Sequence, residues 1–401
     1  MIKSLLLIAC FGILFGFSLL ESRFSRQPPS RSEPKSRRRG FLWIFAITWV
    51  CGLAVCFGFS VYVNPWGNYG EVGWHRLYNA RLAKTRVLDH LPGDELPEVL
   101  ILGSSNVMRL RPATVRRELG LTAFNCGVFW GKAEDYLCIA RHVILDLNHR
   151  PKLLLVGLDS WTLAPAQDEH PVFPGLRRRL LNTPQLIQHL HDVSPVKREW
   201  SRFIDAFSRQ HLVTCWRMAR SRKRHRVAPL AESEMFQEDG TRNNYSAVYE
   251  KRAGNIFDAV EARRYPITEH LRRIRSEAGP TGFVHFSKYD FREFRSQRIG
   301  YLRDLVELCQ DQQVELVFFL NPVHPVFREV VEEHSPFLVN QSKMRHLIDQ
   351  WMTEFSTVRG IVDGLEMRDL DPGGFYDEIH PDTANGDRLI ALIGQSLERH
   401  R

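Results

Sequence analysis

Residues 98–106, Glu-Val-Leu-Ile-Leu-Gly-Ser-Ser-Asn, constrain the fold more than any other part of the 401-residue chain. Val99, Leu100, Ile101 and Leu102 are apolar at every position, so both faces of such a strand must be covered, as in a parallel sheet buried between helices. The run stops on Gly103, expected to permit a sharp turn, and leaves Ser104 and Ser105 at the carboxyl end of the strand, where open α/β sheets collect their ligands. The design recurs. Leu153-Leu154-Leu155-Val156 ends on Gly157-Leu158-Asp159-Ser160, residues 314–320 end on Asn321-Pro322-Val323-His324-Pro325, and Gly360-Ile361-Val362 ends on Asp363. Helices are expected at about 112–119, 132–147, 297–310, 341–355 and 383–398, the last capped by Asp382 or Thr383. Within 132–147, Leu137, Ala140, Ile144 and Leu147 recur at helical spacing and form a core-facing stripe. This alternation predicts an α/β domain with a doubly wound parallel sheet flanked by helices.

The first sixty residues are of another kind. Residues 4–20 are one continuous apolar run, and residues 41–63 are a second, broken only by mild residues such as Thr48 and Ser60. The second is long enough to span a bilayer and the first is near the lower limit, so one or two N-terminal transmembrane helices are expected, over 1–20 and 41–63. Trp43 and Tyr62 lie near the ends of the second, where aromatic anchors belong. Residues 21–40 read as a short unstructured basic linker. Its seven Lys and Arg against Glu21 and Glu33 supply +5 of the net +8, and Lys3 another +1. The positive-inside bias puts this linker in the cytoplasm and residues 64–401 on the outer side of the cytoplasmic membrane, periplasmic or extracellular. About +2 is left for the exported part, so the basic pI is a topology signal and a nucleic-acid partner loses its support. Leu7-Ile8-Ala9-Cys10 resembles a lipoprotein box and Arg38-Arg39-Gly40-Phe41-Leu42 a twin-arginine signal. The apolar run continues past Cys10, however, and no small-residue cleavage site follows the arginines.

Between residues 161 and about 300 the pattern loosens into polar, Arg-rich helices and turns. This reads as a solvated helical insertion, or alternatively as a surface for an anionic glycan or lipid headgroups. Glu238-Asp239-Gly240-Thr241 is a turn, and Phe283, Phe286, Tyr289, Phe291 and Phe294 either pack the insertion or line a sugar cleft. Cys126, Cys138, Cys215 and Cys309 show no CxxC or Cys/His spacing, which argues against a structural zinc site; in an oxidising compartment they could form one or two disulfides. With no P-loop or dinucleotide fingerprint either, no cofactor and no metal are expected.

A serine hydroxyl becomes a nucleophile when an imidazole accepts its proton, and the imidazole works best when a carboxylate fixes its tautomer. Asp377 and His380 are three apart in Phe-Tyr-Asp-Glu-Ile-His-Pro, ahead of the last helix, so both can face one side, with Pro381 stiffening the segment. In chain order the motifs are Gly-Ser-Ser at 103–105, Asn-x-Gly at 125–127, Gly-x-Asp at 157–159 and Asp-x-x-His-Pro at 377–381. This series resembles the SGNH/GDSL hydrolase superfamily over roughly 97–160 and 312–400. With the N-terminal apolar run, it is similar to membrane-anchored SGNH-like proteins of polysaccharide O-acylation.

The resemblance implies Ser105 as nucleophile, His380 as general base and then acid, and Asp377 as the residue that orients it. It also implies backbone N–H groups of Ser105 and Gly127 binding the oxyanion, with Asn125 beside them. One position departs from the pattern. Where the family offers an asparagine amide to the oxyanion, this chain has Asp159, so either Asp159 points elsewhere and Asn125 or Asn106 donates instead, or the site is specialised or inactive. His324, a second strand-end histidine, is expected to be structural or to contact substrate. The function implied is an acyl-serine O-acyl(acetyl)transferase or esterase acting on a cell-surface or secreted polysaccharide, with a membrane-embedded acyl-donor protein as a conceivable partner. The alternative is a catalytically inactive glycan-binding or scaffold protein of an exopolysaccharide assembly on the same fold.

Overall fold

A computed structural model of the chain describes residues 35–64, 80–165, 183–190, 194–224, 237–241 and 266–399. The expected first transmembrane run at 1–20, residues 21–34 of the linker and much of the insertion lie outside these. The chain divides into two compact units, residues 1–77 with 195–229 and residues 78–194 with 230–401.

The larger unit holds a five-stranded sheet of β1 (Val99–Leu102), β2 (Ala123–Asn125), β3 (Leu153–Leu158), β4 (Glu315–Leu320) and β5 (Val358–Asp363). All pairings are parallel and the order is β2-β1-β3-β4-β5. The chain leaves β1 toward β2 on one side and returns to β3 on the other. The switch point of the sheet therefore lies between β1 and β3, where a crevice forms beyond the carboxyl ends. Side chains alternate faces as the pleat requires. Leu100, Leu102, Leu154, Val156, Leu316 and Phe318 enter the larger core. Val99, Ile101, Leu153, Leu155, Val317 and Phe319 enter the second.

In chain order the helices are α1 (Lys35–Val63), α2 (Ala80–His90), α3 (Pro112–Leu119), α4 (Ala133–Arg141), α5 (Pro184–Ile187), α6 (Pro195–Ala206), α7 (Arg209–Arg224), α8 (Ile267–Ala278), α9 (Ser296–Asp311), α10 (Pro325–His334), α11 (Phe337–Glu354) and α12 (Thr383–Arg399). Helices α4, α9 and α11 cover the first face of the sheet with Leu137, Val306 and Ile348, and α3 and α12 cover the second with Val115, Leu389 and Ile393. At about 25 cal/mol per Å² of buried apolar surface, each fully buried Leu, Ile or Phe contributes about 1.5–3 kcal/mol, so the all-apolar strands stabilise the sandwich on both sides.

The expected elements fall within a few residues of the observed ones, with two instructive differences. Residues 132–147 are not one α-helix, because α4 passes at His142–Asp146 into a turn of π-helix. Helix α10 has no counterpart among the expected elements because Pro325 reads as a turn. It occupies N1, where a missing N–H costs nothing, and His324 Nδ1 accepts from the Val326 N–H at 3.1 Å to cap the helix.

In the smaller unit, Leu42–Val63 is long and apolar enough to cross a membrane. The helix begins at Lys35, inside the expected linker, so Arg38-Arg39 is helical. Near its C-terminus Ser60 Oγ donates to the Ala206 carbonyl at 2.6 Å, and Phe57 stands 5.5 Å from Phe203 and 6.0 Å from Phe207 between ring centroids. Part of the insertion thus packs on α1. Cys126, Cys138, Cys215 and Cys309 are free thiols and buried, and burial pushes Cys126, Cys215 and Cys309 up to about 12. The disulfides that an oxidising compartment would allow are not formed among these four.

Candidate active site

After β1 the chain enters one 3-10 turn, Ser105–Val107, whose first N–H groups are steered by Ser104, the Oγ of which accepts from Asn106 N. The glycines at the strand ends serve a purpose other than the expected sharp turn. A Cβ on Gly103, Gly127 or Gly157 would come within 2.6, 2.6 and 2.4 Å of a Val107 methyl group. Three strand-end glycines therefore make the socket that Val107 fills, and Val107 seats the turn that carries Ser105.

The C-terminal motif folds on its own carboxylate. Asp377 Oδ1 accepts from the backbone N–H groups of Ile379 and His380, both at 2.8 Å, and the Tyr376 N–H reaches the His380 carbonyl at 2.9 Å. This local turn explains why three residues separate the pair. It brings His380 Nδ1 to 2.7 Å from Asp377 Oδ2. An ionised carboxylate can only accept, so Nδ1 carries the hydrogen and Nε2 is left to accept. At 2.8 Å from Nε2 lies Ser105 Oγ, 275 positions earlier in the chain. Asp377 is buried, which by itself would raise its pKa; the His380 and His285 imidazoles and the His380 and Ile379 hydrogen bonds hold it well below the usual carboxylate range.

The oxyanion side differs from expectation. Gly127 N–H already donates to Asn125 Oδ1 at 2.9 Å, so it is not directed at the serine. Asn125 spends its amide on the carbonyls of Val107 and Leu110, at 2.7 and 2.8 Å, while Lys84 Nζ reaches its Oδ1 at 3.3 Å and its backbone carbonyl at 2.7 Å. Asn125 is thus a buried brace between the two loops rather than a donor. Asn106 Nδ2 donates to Asp159 Oδ1 at 2.7 Å, and Asn321 Nδ2 donates to the same oxygen at 3.0 Å. Burial pushes Asp159 up to about 6, against the lowering effect of Ser104, Asn321, Asn106 and His380. Among the described residues the Ser105 N–H has no hydrogen-bond partner, so it is open to an oxyanion, and Asn106 Nδ2 keeps a second hydrogen beyond the one given to Asp159.

Several residues of this site were not anticipated. His285, from the insertion, packs edge-on to His380 with ring centroids 5.8 Å apart, and its Nε2 is 3.9 Å from Asp377 Oδ2. Lys288 is buried with Nζ 3.5 Å from the Trp130 ring centroid and 4.9 Å from that of Trp161. Burial pulls Lys288 down to about 7, against the attraction of Asp377, Glu378 and Asp159. Glu378 accepts from His285 N at 3.1 Å and is pushed up to about 7, by burial first and then by Asp377. A lysine isolated within an aromatic run was the only signal in the sequence. Phe283, Tyr289 and Phe291 are buried in the core, so they pack the insertion and do not line a cleft. His324 is buried, caps α10 and stands 3.1 Å from Thr268 Oγ1, a structural placement.

Fold and site together are a parallel α/β domain with a hydrogen-bonded Ser–His–Asp series at its switch point. No protein-family model matches the chain, and no curated protein matches it. Among solved structures it is similar to a "putative acylhydrolase" from Bacteroides fragilis NCTC 9343, at 11% identity and a TM-score of 0.36, with 82% of this chain and 100% of that one covered. That likeness is too distant to carry any residue's role.

Proposed function

We propose that the chain is a serine-dependent acyl-ester enzyme in which Ser105 takes the acyl group, His380 moves the proton and Asp377 fixes the imidazole. The observation that carries this reading is the unbroken series Ser105 Oγ, His380 Nε2, His380 Nδ1 and Asp377 Oδ2 at 2.8 and 2.7 Å. Attack by Ser105 on an ester carbonyl passes the hydroxyl proton to Nε2. The tetrahedral oxyanion meets the Ser105 N–H, and the imidazolium returns its proton to the leaving alcohol. Water or a sugar hydroxyl then takes the acyl group from the serine by the reverse steps. The finer reading, an O-acetyltransferase or esterase tethered to the cytoplasmic membrane and working outside it on a polysaccharide, is supported by the apolar Leu42–Val63 helix and by the sequence motifs. The test is labelling of purified full-length protein with a serine-directed fluorophosphonate. Labelling and release of acetate from an acetylated glycan, both lost in Ser105→Ala, are expected; labelling that persists in Ser105→Ala refutes the assignment.

A second reading, a glycan-binding scaffold without turnover, is favoured by two observations. Asp159 puts a carboxylate where a donor is expected, and the Gly127 N–H is already spent. It requires glycan binding that survives Ser105→Ala combined with His380→Ala, and no fluorophosphonate labelling of the wild type.

A further inference from the structure

We propose that His142, Asp146 and His189 form a binding site for a divalent transition-metal ion of the zinc class, separate from the serine relay. His142, Asp146 and His189 converge so that one ligand atom from each lies within 4.8 Å of the others. Asp146 Oδ2 is 2.9 Å from each of the two nitrogens. The π-helical turn His142–Asp146 supplies two of the ligands, and such single π-turns inside helices are frequent at functional sites. The third comes from the segment after α5, which is held in place by Arg141 Nη1 donating to the His189 carbonyl at 2.7 Å.

The second nitrogen of His142 is held in the way a metal-ligating histidine is held. His142 Nε2 lies 2.7 Å from Asp89 Oδ1. A neutral imidazole has one N–H and can satisfy one of two facing carboxylates; the other nitrogen then turns a lone pair on a carboxylate oxygen. A second ring proton on His142 removes that conflict, and so does a cation among Nδ1, Asp146 and His189, which the convergence of the His189 nitrogen on the same carboxylate oxygen favours. The Nε2–H donates to Asp89 and Nδ1 gives its lone pair to the metal, the carboxylate–histidine–metal order of known sites. The side chains of His142 and His189 are 5% and 9% exposed, whereas Asp146 is 33% exposed. Two shielded nitrogens, one carboxylate and an open side fit a tetrahedral ion with water in the fourth position. Imidazole ligation favours zinc and its neighbours over calcium or magnesium. The ion would pin the segment after α5 to the end of α4.

The test uses untagged full-length protein in detergent, stripped with EDTA and titrated with zinc alone. One equivalent retained by the wild type is expected, together with a visible absorption band of four-coordinate cobalt on substitution with that ion. His189→Ala should abolish retention, and Asp89→Asn should weaken binding by about 10–100-fold. His142 is deeply buried and its loss can unfold the domain, so His189→Ala and Asp89→Asn carry the test. Fluorophosphonate labelling in His189→Ala should equal that of the wild type, which keeps this outcome independent of the serine assignment. A wild-type protein that retains no stoichiometric zinc, or a His189→Ala protein that binds it equally well, overturns the proposal.

Discussion

Two His–Asp–His groupings lie in the same α/β unit, one of His285, Asp377 and His380 and one of His142, Asp146 and His189. Each begins with an imidazole held by a carboxylate at hydrogen-bond distance, 2.7 Å in the first and 2.9 Å in the second. The difference lies at the far nitrogen. In the first it faces the Ser105 hydroxyl, which can surrender a proton. In the second it faces Asp89, a carboxylate that can only accept. The same two residue types are therefore arranged as the proposed proton relay requires where a hydroxyl closes the series, and as the proposed metal site requires where a second carboxylate does. Residue inventory does not distinguish these outcomes; the partner of the second nitrogen does.

The comparison breaks first at the serine. Ser105→Ala should lower esterase kcat on the order of 10⁶-fold, as loss of a triad nucleophile does, without shifting the melting temperature. If activity survives, the first grouping is as static as the second. Asp377→Asn keeps the shape of the side chain but no longer fixes the imidazole tautomer, and should cost about 10⁴-fold in kcat. His189→Ala, in the second grouping, should leave esterase activity unchanged and lower the melting temperature, as read by thermal denaturation.

Smaller effects probe the socket beneath the serine. Gly157→Ala places a methyl group 2.4 Å from Val107 Cγ1 and 2.8 Å from Phe319 Cζ, an overpacking worth about 1–3 kcal/mol in denaturant unfolding. The displacement should reach Ser105 and lower activity as well. Asp159→Asn tests the oxyanion side through pH. With its folded pKa raised from 3.8 to about 6, Asp159 keeps a proton that the unfolded chain releases. Its contribution to stability is complete below about pH 4 and is lost as pH rises toward 6. The asparagine variant should flatten that slope in urea melts taken across this window, and an unchanged slope would show that Asp159 titrates as an ordinary carboxylate.

Much of this was legible in residues 98–106 and their repeats because all-apolar strands allow few solutions. A run such as Leu153–Val156 must be covered on both faces, and its polar termination marks the crevice. The pair Asp377 and His380 was legible because it folds locally, on backbone N–H groups two and three residues away. The roles expected of Gly127 and Asn125 were not, because the carbonyls of Val107 and Leu110 that absorb the Asn125 amide come from another loop. His285 gave no signal, and Lys288 only that of a lone lysine in an aromatic run, for the same reason, since they reach the site across about ninety residues of chain from Asp377.

By itself the sequence determined the strands, the switch-point serine, the local Asp–His turn and one apolar helix of membrane-spanning length. These follow from short-range periodicity and turn chemistry, which neighbouring residues set. Tertiary structure decided which hydroxyl or carboxylate meets the second nitrogen of each histidine, which amides are already spent, and that Val107 needs three glycines around it. Those outcomes depend on distances between segments far apart in the chain, and only packing sets them.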